Sequence, residues 1–210
     1  MRELIMNNDQ AGIRAALEKN QALANEGIAC FDDNPAKAHP LHRLCDGVFN
    51  KLYSEEDAIE MAKIFLGFGA DINGGQLVEK QDTPLIAAAS LHAEETGMFY
   101  ISQGAALEHK GTHGGTALHW AAWVGRDKLV KKLIEAGFPI NMQCIDFRGT
   151  PLLWAVHGYL FAGDKNRRNQ VECARLLLEA GADKTIPNIE GVPPIGLLEE
   201  HDVVMRKLFI

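Results

Sequence analysis

Apolar and small residues along the chain fall in short blocks at helical spacing, and glycine-bearing polar stretches interrupt them at near-regular intervals. Near the N-terminus, Ile13, Ala16 and Leu17 stand three and four apart, which puts them on one helix face, and Asp9 just ahead is placed to cap that helix. Further on, the blocks come in two kinds. One opens with Thr-Pro-Leu or a variant of it and carries an alanine pair, Ala88-Ala89 or Ala121-Ala122. The other carries runs such as Leu176-Leu177-Leu178 and ends in glycine, as at Ala180-Gly181. Thr caps the orphan N–H groups of a helix start, and Pro suits the first helical position, where no N–H is required. Glycine at the far end takes the left-handed conformation that stops a helix. The pattern predicts pairs of short helices, thinned by alanine so that neighbouring pairs approach closely. A two-helix unit of this size cannot bury both faces alone, so stacking must stabilise it.

Two markers set the period. The first is "HPLH" at His39, "TPLI" at Thr83, "TALH" at Thr116, "TPLL" at Thr150 and "PPIG" at Pro193; the second is "GAD" at Gly69, "GAA" at Gly104, "GFP" at Gly137 and "GAD" at Gly181. Thr83 to Thr116 is 33 residues and Thr116 to Thr150 is 34. This period with these markers resembles the ankyrin repeat, over nearly the whole chain. The resemblance implies an all-α solenoid of stacked helix pairs with β-turn fingers, four recognisable repeats between capping units. The expected single domain divides into an N-terminal cap over 1–36, repeats over 37–80, 81–113, 114–147 and 148–190, and a C-terminal cap over 191–210 that docks through Leu208-Phe209-Ile210.

Two repeats exceed the period. His39 to Thr83 is 44 residues and Thr150 to Pro193 is 43, with the excess between the two helices of the unit. Ser54 to Asp57 reads as a capping box, so the first helix should run on through Phe49 and Leu52 before the second starts afresh. The other insertion should extend its helix through Tyr159 to Phe161 and then cross an exposed loop from Gly163 to Asn169. Val48, Phe49, Tyr53, Tyr159, Leu160 and Phe161 are expected to cover that edge of the stack, with contact to a partner as the rival reading. His92 stands where the pattern has glycine between helices and must take a positive φ. Gly97, inside a predicted helix, costs about 1 kcal/mol relative to alanine.

Composition narrows the functional classes. Apolar residues make 47% of the chain and charged ones 23%, which argues for an ordered globular fold. A net charge of −7 gives no footprint for nucleic acid or for an anionic membrane surface. No stretch approaches the roughly 18 to 20 apolar residues of a membrane span, and the N-terminus has no apolar run of signal-peptide length. Cys30, Cys45, Cys144 and Cys173 are scattered without a CxxC pair, which fits a reducing, cytoplasmic setting. Cys30, Cys45 and Cys173 fall in or near helical core positions; Cys144 lies in a finger and is expected to be exposed.

No nucleophile-elbow, zincin or phosphate-loop string is present. His109 and His113 are four apart, but the glycines of "LEHKGTHGG" make this a turn with no third ligand, so neither metal nor cofactor is expected. His42 and His119 occupy the motif histidine, whose role in the family is to bridge backbone groups of adjacent repeats. Arg167-Arg168 beside Lys165 could receive an acidic partner.

The tryptophans carry the candidate site. In an ankyrin-like first helix the residue after the motif histidine faces the concave groove, as does the residue one turn later. That puts Arg43, Ala87, Trp120, Trp154 and Leu197 in one row and Asp46, Ser90, Trp123, His157 and Glu200 in the next. All three tryptophans of the protein then fall on one patch, with Ala87 leaving a recess beside Trp120. Thr112, His113, Phe147 and Arg148 from the fingertips would supply a polar and cationic rim. Trp is enriched among residues that dominate binding energy. The expectation is a monomeric, noncatalytic adaptor or inhibitor that takes a peptide or protein loop in this groove. Rival readings are indoles that merely fill the groove, an enzymatic or small-molecule site near the elongated repeats that uses His157 or a Cys-His pair, and a self-associating module.

Overall fold

The computed structural model describes residues 1–29, 36–162 and 167–210, with backbone alone for 167 and 168. Cys30 and the loop residues 163–166 lie outside the described residues, as do the side chains of Arg167 and Arg168. The helices are α1 (Arg2–Met6), α2 (Gln10–Lys19), α3 (Pro40–Phe49), α4 (Glu55–Gly67), α5 (Pro84–Ser90), α6 (Glu94–Ser102), α7 (Ala117–Val124), α8 (Asp127–Glu135), α9 (Pro151–Phe161), α10 (Arg167–Glu179) and α11 (Val203–Arg206). A two-residue antiparallel pairing joins β1 (Ile28–Ala29) to β2 (Lys37–Ala38).

The helix starts follow the threonine signal. Thr83 accepts from the Ile86 N–H and Thr150 from the Leu153 N–H, each with proline at the first helical position. At α3 the same role falls to His39, whose Nδ1 accepts from the Leu41 N–H. Asp9 caps α2 through the Gly12 N–H, and Ser54 and Asp57 close the capping box of α4. The marker glycines Gly69, Gly104, Gly137 and Gly181 all have φ between 84° and 93°, a conformation that strains any side-chain-bearing residue. His92 accepts that strain at φ 65°.

The chain forms two compact units, Met1–Val78 with Asp82–Ala106, and Glu79–Gln81 with Leu107–Ile210. In the first, α3 packs on α5 and α4 on α6, and Tyr100, fully buried, donates to the Leu41 carbonyl at 2.8 Å. In the second, α7 packs on α9 and α8 on α10. Phe209 is buried at the C-terminus and Ile210 is fully exposed, so the expected apolar docking rests on Phe209.

Two devices lace neighbouring repeats together. Successive fingers of the second unit exchange backbone hydrogen bonds, from Asp146 N–H to the His113 carbonyl (3.2 Å) and from Ile189 N–H to the Phe147 carbonyl (2.8 Å). Asparagine side chains also accept from the backbone one repeat on. In the first unit Asn25 serves Asp71 and Asn73 serves Ala106; in the second Asn141 serves Asp183, at 2.7 to 2.8 Å. Asn73 and Asn141 each lie four residues after a marker glycine, a recurrence visible in the sequence that the motif reading passes over.

The elongated repeats correct several expectations. Helix α3 stops at Phe49, and Leu52 lies in the turn that follows. Helix α10 begins at Arg167, so residues 167–169 are helix and not loop. Tyr159 is buried and Tyr53 half-buried, but Phe49 is 51% exposed and Phe161 66%, so these two rings stand out from the edge they were expected to cover. Each lies against a histidine instead, Phe49 on His92 (5.8 Å between centroids) and Phe161 on His157 (4.5 Å). Cys45 and Cys173 are core residues as expected; Cys144 is 3% exposed, contrary to its predicted exposure.

Candidate functional site

The second unit carries the tryptophans. Trp120 and Trp123 are one turn apart on α7, and Trp154 and His157 one turn apart on α9. Close approach of the two helices depends on Gly158: a Cβ there would meet the Trp123 carbonyl oxygen at 2.1 Å. The registration predicted from the repeat period is the one observed. Trp120 and Trp154 have centroids 5.2 Å apart at 78°, and Trp120 and Trp123 are 6.0 Å apart at 83°, both edge-to-face.

The three indoles are not equally presented. Trp154 is 6% exposed, edge-to-face with His119 at 5.3 Å, and donates through Nε1 to Cys144 Sγ at 3.4 Å. It lies under the fingers because two glycines leave room: a Cβ at Gly115 would come within 2.9 Å of the indole, and one at Gly149 within 3.1 Å. Trp154 is therefore the deep wall of the site, not part of its open floor. Trp120 is half-buried, with its Nε1 enclosed and without a hydrogen-bond partner among the described residues. Trp123, also half-buried, donates from Nε1 to His157 Nδ1 at 3.2 Å.

His119 fixes the geometry behind the wall. Its Nδ1 accepts from the Thr116 N–H (3.1 Å) and from Thr116 Oγ1 (2.8 Å), and its Nε2 donates to the Gly149 carbonyl at 3.1 Å. This is the bridging role expected of the motif histidine. Full burial lowers its pKa to about 3, more than the backbone hydrogen bonds raise it, so the ring is neutral.

Around the indoles runs a groove of about 560 Å3. His113 and Phe147 line it as expected from the fingertips, with His113 5.3 Å from Phe147 and 6.3 Å from Trp120. His113 Nδ1 lies 3.4 Å from Asp146, whose carboxyl Lys80 holds below the usual range through a 2.7 Å hydrogen bond. His157 and Leu197 contribute from the helical rows, and burial lowers the His157 pKa. Arg148 and Thr112 are not among the described lining residues, so the fingertips do not supply the expected cationic rim. In its place the next finger supplies Asn188, Ile189 and Glu190, and α9 supplies Phe161. Sequence reasoning missed the three finger residues because it followed helical rows, whereas a finger reaches over the repeat before it; Phe161, one turn beyond His157 on α9, was assigned to the edge of the stack instead.

Arg43 and Ala87 belong to the first unit. The Arg43 guanidinium is committed there, to the Ile28 carbonyl (2.9 Å) and to Asp46 (2.6 Å), and Ala87 is buried. No group of three or more His, Cys, Asp or Glu with metal-holding geometry occurs among the described residues. No described helix is long and apolar enough to cross a membrane.

Known proteins bear on this arrangement. The chain is 31% identical over 127 residues to a mouse protein named palmitoyltransferase ZDHHC13, covering 56% of this chain and 19% of that protein's length. A family model described as ankyrin repeats in three copies matches residues 52–146, and a single ankyrin repeat matches residues 149–189. With helix pairs, positive-φ marker glycines and bridging fingers all in place, the chain belongs to the ankyrin repeat family.

Proposed function

We propose that this chain is a noncatalytic, monomeric, cytoplasmic binding module that takes a peptide or protein loop in the groove of its second unit. Ankyrin repeats are in general protein-interaction modules. The observation that carries the finer reading is the pair of half-buried, mutually perpendicular indoles of Trp120 and Trp123, backed by Trp154 and open on one side. Aromatic side chains in such settings dominate binding energies. The polar groups of the groove argue against a catalytic role: His157 accepts from Trp123 and His113 faces Asp146, which leaves no nucleophile and base paired among the described lining residues. The palmitoyltransferase activity in the relative's name is not carried over, because this chain spans only 19% of that protein.

A displayed peptide library panned on the wild-type chain, with counter-selection on Trp123→Ala, tests the reading. Recovered peptides should share an anchor side chain and lose at least about tenfold in affinity on Trp123→Ala or Trp120→Ala, the range of a moderate hot spot. Circular dichroism should show both variants folded. Enriched peptides that bind the variants as tightly as wild type would rule the groove out. A light-scattering mass above the monomer would favour self-association.

A further inference from the structure

We propose that the occupant of the groove is a peptide segment that stacks an arginine side chain on the indole surface of Trp120 and Trp123, with its guanidinium edge turned to Glu190. This rests on reading the groove as the partner-binding face, and goes beyond it by naming the anchor.

Charge is the first argument. Glu190 is the one Asp, Glu, Lys or Arg among the described lining residues, and it is exposed. His157 adds no positive charge. Its Nδ1 receives the Trp123 indole proton and so must carry a lone pair, which makes the ring neutral, in line with the lowering of its pKa by burial. The chain as a whole carries a net charge of −7, a field that draws cations.

Ring geometry is the second argument. Trp120 and Trp123 meet at 83° with centroids 6.0 Å apart, so the two rings are in edge-to-face contact with each other, and a planar cation in the groove they line stacks on the free face of one of them. Indole faces are the strongest cation–π partners among side chains. A guanidinium is planar and weakly hydrated: it stacks on one ring while its N–H edge reaches a carboxylate. An aliphatic anchor would satisfy the indoles but leave Glu190 idle, and an ammonium would match the charge without the stacking plane.

The protein's tryptophans make the test direct, because all three line this groove and every indole N–H resonance reports on it. The full chain, labelled with 15N and assigned through Trp120→Phe and Trp123→Phe, would be titrated with three acetylated tripeptide amides, Ala-Arg-Ala, Ala-citrulline-Ala and Ala-Leu-Ala. Citrulline keeps the shape of arginine and removes its charge. The arginine peptide should shift the Trp120 and Trp123 resonances with a Kd about tenfold below that of the citrulline peptide, the size of one favourable cation–π and ion-pair contact. Glu190→Gln should narrow that gap to about threefold by weakening the arginine peptide more than the citrulline peptide. Equal affinities, or tighter binding of the leucine peptide, would overturn the arginine assignment and leave the groove as an apolar docking site. If no peptide moves any indole resonance and the library yields no groove-dependent binder, both the assignment and the groove reading fall.

Discussion

The two elongated repeats open with helices that share a layout and present opposite surfaces. Helices α3 and α9 both start at a proline, both run past the length of α5 and α7, both carry glycine at the eighth residue after the cap, Gly47 and Gly158, and both end in an exposed phenylalanine. At the fourth and seventh positions after the cap, α3 has Arg43 and Asp46, which bind each other, while α9 has Trp154 and His157, which build an aromatic groove. The glycines also serve different ends. A Cβ at Gly158 would strike the Trp123 main chain at 2.1 Å, whereas one at Gly47 would strike the Tyr53 hydroxyl at 2.0 Å, the tip of a side chain that donates to the Leu44 carbonyl. Backbone layout thus belongs to the repeat, and what it displays belongs to a few side chains.

The contrast can be broken at several points, the first expected to be the largest. Gly158→Ala forces main chain against main chain, so α7 and α9 must separate; the loss should be about 3 kcal/mol in urea unfolding, at the high end for overpacking, with the indole contacts disrupted. A change under about 1 kcal/mol would mean that α9 shifts freely and that the close approach does not hold the groove.

Acid should act on both repeats through the histidines that hold their helix starts. Burial lowers the pKa of His39, at the cap of α3, to about 4, and that of His119, which holds the carbonyl just ahead of the α9 cap, to about 3. The ordinary value of 6.5 applies once the chain unfolds, so the unfolded state binds the protons. Stability is then complete above pH 6.5 and is lost as pH falls towards 4 and 3 respectively. Between pH 7 and 5.5 each ring should cost about 1.3 kcal/mol, measurable as a fall in urea midpoint. His119→Gln should remove this ring's share of that pH dependence, and an unchanged pH slope would contradict the buried neutral ring.

Gly47→Ala should have the smallest effect. It displaces the Tyr53 ring and its hydrogen bond, worth about 1 kcal/mol, and regains a similar amount in helix propensity. The net should stay under about 1 kcal/mol, and Tyr53→Ala should make the substitution stabilising. A loss equal to that of Gly158→Ala would erase the distinction between the two glycines.

Much of the scaffold was legible because its signals are local. A threonine before proline caps its own helix, and a marker glycine stops the one before it, so Thr83, Thr150 and Gly181 could be read without knowing what they touch. The meeting of Trp120 with Trp154 was legible for a related reason: a fixed period carries equal positions to equal places. What was illegible depends on contacts made far along the chain. Cys144 is buried because the Trp154 indole reaches it, and that indole is covered because Gly115 and Gly149 have no side chains to keep it out. Glu190 joins the groove only because one finger leans over the repeat before it, which no helical row describes. Phe49 and Phe161 were misread because apolar character alone does not say which edge has something to bury it.

The placement of every tryptophan in one groove has an optical consequence. Intrinsic emission excited at the red edge of the absorption band comes from the second unit alone, since the first, Met1–Val78 with Asp82–Ala106, contains none of these fluorophores. A denaturation followed by that light is blind to the first unit, and any lag between it and the far-ultraviolet signal of the whole backbone would show the two halves melting at different times.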